Sequence, residues 1–130
     1  MTNELQYTIS ALAEEFDVSQ RTIRFYEEKG LISPSRTPGN QRTYSKEDRI
    51  RLKLILRGKR FGLALDDIAE ILGIMETDMS EAEQIRKALP YGQKYLINLR
   101  EQIEELQLLE QELSSLHNKF AQRLKELEQD

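Results

Sequence analysis

The 130-residue chain contains no cysteine. That one absence removes a disulfide framework, a thiolate metal site and a thiol redox sensor together. Long apolar runs are missing as well, so neither a membrane span nor a secretory leader is expected, and the chain is read as soluble and cytoplasmic with no membrane partner. The single histidine, His117, cannot assemble a Ser/His/Asp or Cys/His set. Without metal-ligand clusters or a phosphate-cradling glycine loop, no catalytic residue, metal or cofactor is expected.

Charge is present but unevenly distributed. The net charge of −4 averages a first half with twelve Lys/Arg against eight Asp/Glu and a second half with seven against fifteen. All twelve basic residues of the first half lie between Arg21 and Arg60, opposed only by Glu27, Glu28, Glu47 and Asp48, a balance of +8. A basic head and an acidic arm follow. The alternative, a merely solvated cationic face, weakens when the motifs are placed on the same stretch.

Ile9, Leu12, Ala13, Phe16, Val18, Ile23 and Tyr26 fit two short helices around a tight turn at Asp17-Val18, the spacing of a helix-turn-helix. Ser10 and Ser19 stand where N-caps are expected, and Asp17 tolerates a left-handed conformation. Between Gly30 and Ser45 two prolines, two glycines and Asn40-Gln41 mark a two-stranded excursion, a wing, bracketed by Leu31-Ile32 and Arg42-Thr43-Tyr44. Ser45 with Asp48 opens a third helix ending near Gly62; Leu65 to Leu72 forms a fourth, stopped at Gly73; Ser80 with Glu83 opens a long fifth, disturbed near Pro90 and Gly92.

Beyond Tyr91 a heptad runs with Leu96, Ile103, Glu110, His117 and Leu124 at a, and Leu99, Leu106, Leu113, Phe120 and Leu127 at d. Leu109 and Leu116 widen the face where a turns polar. A helix roughly 55 Å long has no cover in a small head, so it should pair with its own copy, a homodimer seamed by Leu96, Leu99, Ile103, Leu106, Leu113 and Phe120. The fold expected is mainly α: a winged helix-turn-helix over residues 1–75 with a small hairpin wing, then a linker and a long antiparallel dimerisation coil over 76–130. His117 reads either as a pH or metal sensor or as a polar residue fixing register. Tyr91 and Tyr95 read either as lining for an effector pocket or as packing residues.

Ser19, Gln20, Arg21 and Arg24 can face outward from the second helix while Ile23 faces in, as a helix entering a major groove requires. Cationic and hydroxyl groups suit phosphate and base edges, and the Gln20 amide suits adenine.

The run Thr22-Ile23-Arg24-Phe25-Tyr26-Glu27-Glu28-Lys29-Gly30-Leu31-Ile32, then Asn40-Gln41-Arg42-Thr43-Tyr44, then Leu56-Arg57-Gly58-Lys59-Arg60-Phe61-Gly62-Leu63 resembles the signature of the MerR family of transcriptional regulators. The resemblance spans residues 7 to about 75. It implies that Arg24 and Tyr26 grip DNA, that Arg42 and Tyr44 act from a first wing, and that Lys59 and Arg60 act from a second; Arg36, in the same excursion, is a further candidate DNA contact. The partners it implies are double-stranded promoter DNA, a second copy of the chain and RNA polymerase at the promoter, with a small-molecule effector left open. The implied action is distortion of the promoter spacer, with plain repression as the alternative; a coiled-coil adaptor that binds protein is the competing class.

Phe25 and Ala64 depart from the family pattern, which often has a second tyrosine and a capping serine there. The missing cap should loosen the second wing by about 1 kcal/mol. Metal- and redox-sensing branches resemble this chain in the head only, and the large effector domain of the drug-sensing branches is not expected. The stretch Arg51-Leu52-Lys53-Leu54-Ile55-Leu56-Arg57-Gly58-Lys59-Arg60 is most similar to the subgroup regulating branched-chain amino-acid and fatty-acid degradation.

Overall fold

The computed structural model describes residues 6–129. Its elements are α1 (Ile9–Phe16), α2 (Gln20–Glu28), β1 (Ser35–Arg36), β2 (Arg42–Thr43), α3 (Lys46–Arg60), α4 (Leu65–Met75) and α5 (Glu81–Glu128). The mainly helical architecture with one small antiparallel hairpin and a long C-terminal helix is the expected one.

Local chemistry sets the boundaries. Thr8, not Ser10, caps α1, its hydroxyl accepting from Ala11 N. Ser10 lies one residue inside the helix and accepts from the Gln20 side chain instead. Asp17 ends α1 in the left-handed conformation at φ 53°, where a short polar side chain is tolerated, and Ser19 caps α2 through Thr22 N. At α3 the capping box closes in both directions between Ser45 and Asp48. The fourth helix passes through Gly73 and ends at Met75, because one glycine costs about 1 kcal/mol of helix propensity while Ile68 and Leu72 on the same helix are buried. Pro90 likewise lies inside α5 without ending it.

Leu31 and Ile32, expected at the base of one strand, are buried core residues instead. The hairpin forms farther on, pairing Ser35 with Thr43 and Arg36 with Arg42. Its turn is closed by Thr37 N donating to Gln41 O and Asn40 N to Thr37 O, both at 2.8 Å, with Asn40 at φ 63°. A third edge escaped sequence reading: Tyr7 and Tyr44 exchange backbone hydrogen bonds at 2.8 and 2.9 Å, stitching the chain before α1 to the end of the wing.

The chain divides into two compact units, the second beginning at Leu89. The first two turns of α5 thus belong with the head that the sequence placed over 1–75. They are tied to it by Gln84, whose amide donates to Met75 O and Thr77 O at 3.2 Å. In the head, Leu12, Ile23, Tyr26, Ile32, Tyr44, Leu52, Ile55, Ile68 and Leu72 meet in one core. Arg49 binds α1 to α3 by pairing with Glu15 while its guanidinium stacks over Tyr7 and Phe16. The hydrogen bond from Arg49 holds the Glu15 carboxyl below its ordinary pKa.

Gly58 sets how closely α3 and α4 approach. A Cβ at this position would sit 2.9 Å from Ile68 Cγ1, inside van der Waals contact with a buried residue. Gly58→Val should therefore cost about 1–3 kcal/mol by overpacking, a fall in Tm on the order of 5–15 °C by circular dichroism. An unchanged Tm would mean that α4 can move away freely.

In the second unit, α5 carries the heptad face with Leu96, Leu99, Ile103, Leu106, Leu113 and Phe120 all exposed. Among the described residues, no helix is long and apolar enough to cross a membrane.

Candidate nucleic-acid interface

The second helix has two sides. Ile23 and Tyr26 enter the core, while Arg21 and Arg24 lie on the side away from it and Glu27, half-buried, on its flank. Arg21 is exposed and Arg24 half-buried. The Ser19 hydroxyl is engaged as a cap and meets the Thr22 hydroxyl at 2.9 Å. Gln20 is also engaged: its amide donates to Ser10 Oγ at 3.0 Å, tying the first turn of α2 to α1. The expected free amide on an outward face is thus corrected to a half-buried one with one donor in use.

The wing joins this helix through an ion pair. Arg42 Nε donates to Glu27 Oε2 at 2.7 Å, with the two side chains 27% and 23% exposed. Beside it lies a hollow lined by Thr8, Ser10, Arg36, Asn40, Gln41 and Arg42, where wing and α1 meet. Arg36 Nη1 donates to Asn40 O at 3.2 Å, bracing the hairpin turn.

Two expected contact residues prove to be core. Tyr44 is 0% exposed, and its hydroxyl is buried without a hydrogen-bond partner among the described residues. Burial raises its pKa, with the Glu27 charge adding to the effect. Tyr26 is 5% exposed, its ring packed against Phe25 at 5.6 Å, and burial raises its pKa too. Neither ring stands at the surface the sequence assigned it. Tyr26 anchors α2 and Tyr44 anchors the end of the wing just past β2, because an aromatic that size contributes more to a small core than to a rim.

The second basic site is at the end of α3. Lys59 and Arg60 are exposed in its last turn, followed by Gly62 at φ 85°, a conformation that side chains rarely adopt. Ala64 occupies the N-cap of α4 without a side-chain cap bond, as expected from its lack of a hydroxyl. Lys59 Nζ reaches Leu63 O at 3.5 Å, a weak tie across the same turn.

The structure thus ties Gln20 to α1 through Ser10 and α2 to the wing through Glu27 and Arg42, places Arg36 and Arg42 at one hollow, leaves Ser19, Arg21 and Arg24 on α2 and its cap without a contact to that hollow, and gives Lys59 and Arg60 a separate turn. Sequence reading missed Glu27 and Ser10 as holders of these side chains. The signal for Glu27 was its being one of four acids in a stretch of twelve bases.

The profile described as MerR HTH family regulatory protein matches residues 7–73, and a second, described as MerR, DNA binding, matches residues 49–116. The chain belongs to the MerR family. It is 34% identical over 112 residues to the HTH-type transcriptional regulator ZntR homolog of Haemophilus influenzae, covering 85% of this chain and 81% of that one. It is 33% identical over 118 residues to the mercuric resistance operon regulatory protein of Shigella flexneri, covering 89% and 78%.

Among solved structures it is similar to HiNmlR, a MerR family regulator lacking the sensor domain, bound to promoter DNA, with TM-score 0.59, 30% identity and 79% and 76% of the two chains covered. It is also similar to PbrR691 from Ralstonia metallidurans in complex with lead(II), with TM-score 0.65, 28% identity and 86% of each chain covered. These MerR-family relatives are regulators, and the chain shares their helix-turn-helix and long-helix fold. Two of these names carry a metal, mercury and lead; this chain has no cysteine. Among the described residues, no group of three or more His, Cys, Asp or Glu side chains is placed to hold a metal ion.

Proposed function

We propose that this MerR-family regulator acts as a homodimer on double-stranded promoter DNA, with no catalytic step, and that it controls RNA polymerase by bending and untwisting the promoter spacer. The observation that carries the reading is the joining of α2, the helix that bears Arg21 and Arg24, to the wing through Glu27 and Arg42, with Arg36 and Arg42 lining one hollow beside the N-terminus of α1. Cationic side chains so grouped suit phosphates on either side of a major groove. Lys59 and Arg60 supply a second phosphate contact, and Ser19 and Gln20 lie at the end of α2 nearest the bases.

The exposed a and d residues of α5 form the seam between two copies in antiparallel array, so that residues 1–75 recognise DNA and residues beyond them hold the heads apart. A dimer with two rigid grips acts on the DNA between them, and an effector would need only to shift the pair between two geometries. The DNA-bound HiNmlR structure supports the same kind of partner for this chain, and a cytoplasmic location follows from that partner.

The experiment is a salt titration of binding to the duplex that footprinting identifies upstream of the chain's own targets. Arg24→Ala and Arg42→Ala should each weaken binding and reduce the slope of log K against log salt by about one per phosphate contact removed. An unchanged slope in both variants would refute the phosphate role, and failure of the unaltered chain to bind duplex DNA would favour a protein-binding adaptor.

A further inference from the structure

An acid in the middle of a DNA-binding surface works against attraction to phosphate, so Glu27 requires a reason to be there. It closes the last turn of α2, where its Oε2 accepts from Arg42 Nε at 2.7 Å. Arg42 in turn stands directly across the hairpin from Arg36. Cross-strand partners lie about 5 Å apart at Cβ, and like charges there destabilise the pairing. Strands of two residues have little ladder with which to resist that repulsion. Glu27 compensates one of the two guanidinium charges and does so through Nε, leaving the terminal nitrogens of the Arg42 fork for another acceptor. Because Arg42 lies two residues before Tyr44, which is buried in the core and bridged to Tyr7, fixing the Arg42 side chain also fixes the wing against the recognition helix.

We propose that Glu27 is a positioning residue for sequence discrimination: it orients Arg42 and the wing, at the expense of general attraction to DNA. The inference rests on the DNA-binding reading given above. A preset side chain loses less freedom on binding the right sequence, whereas a freed arginine meets any phosphate and so raises affinity for all duplexes alike.

The test uses the full chain with two probes: the tightest duplex it selects from a random-sequence pool, and a scrambled duplex of the same base composition. Glu27→Ala should lower the ratio of the two affinities about tenfold while leaving binding to the scrambled duplex unchanged or tighter. Glu27→Gln, which keeps an acceptor for Nε, should retain most of the ratio. With Arg42→Ala already present, adding Glu27→Ala should change the ratio less than twofold, since the effect runs through Arg42. An equal loss in both backgrounds, or a ratio unmoved by Glu27→Ala, overturns the inference while leaving DNA binding intact. A chain that selects no duplex at all overturns both. Thermal melting of each variant checks that the head is folded; if Glu27→Ala fails to fold, a loss in Glu27→Gln as large as that in Arg42→Ala counts against the inference.

Discussion

Replacing Leu106 and Leu113 together with lysine should turn the proposed homodimer into monomers and abolish specific DNA binding. The two residues are 65% and 67% exposed in the single chain, at the d positions of consecutive heptads. Burying a leucine contributes about 1.5–3 kcal/mol, so losing four across a symmetric pair removes roughly 6–12 kcal/mol before the cost of bringing four ammonium groups into an apolar seam is counted. At about 1.4 kcal/mol per factor of ten, self-association should fall by at least four orders of magnitude. Lysine is a good helix former, so α5 should survive, and far-UV circular dichroism would show it. Operator binding should fall by about 10²–10⁴, because each head then binds without the avidity of its partner. A dimer of undiminished affinity by sedimentation equilibrium would place the seam elsewhere.

Shortening the spacer of the target promoter by one or two base pairs should make that promoter active without the protein. One base pair adds about 34° of twist, since a turn takes about 10 to 10.5 pairs, so an overlong spacer carries its two elements to different faces of the duplex. A dimer that bends and untwists the centre realigns them. The deformation costs on the order of 1–6 kcal/mol, which charge-assisted contacts from both heads can offset. Transcription from the shortened promoter should rise about tenfold or more, independent of the protein. If it stays silent and still needs the protein, recruitment of polymerase replaces distortion. A promoter of ordinary spacing that rises when the gene is deleted identifies a plain repressor.

The head was legible because its signals are local. Ser45 and Asp48 close a box three residues wide, Ser19 caps the helix beside it, and Asp17 turns the chain without distant help. Where expectation and structure part, a distant partner had decided. Ser10 lost the cap to Thr8 because the backbone before α1 pairs with Tyr44, a contact across the whole wing. Gly73 failed to stop α4 because Ile68 and Leu72 were already committed to the core. Tyr26 and Tyr44 left the surface for the same reason: a short motif shows that a ring is present and not which side of it water reaches.

The order of the helices, the basic head and acidic arm, and the apolar seam of α5 belong to the sequence, since periodicity and charge are properties of the chain itself. Only the tertiary structure determined which cations stand free and which are held. Arg42 and Glu27 are fifteen residues apart, and Gln20 and Ser10 are ten apart. Such pairs form when packed elements bring separate stretches together, and no local pattern encodes the distance. The close approach of α3 and α4 at Gly58 is of the same kind, because what a missing Cβ makes room for is visible only once Ile68 lies against it.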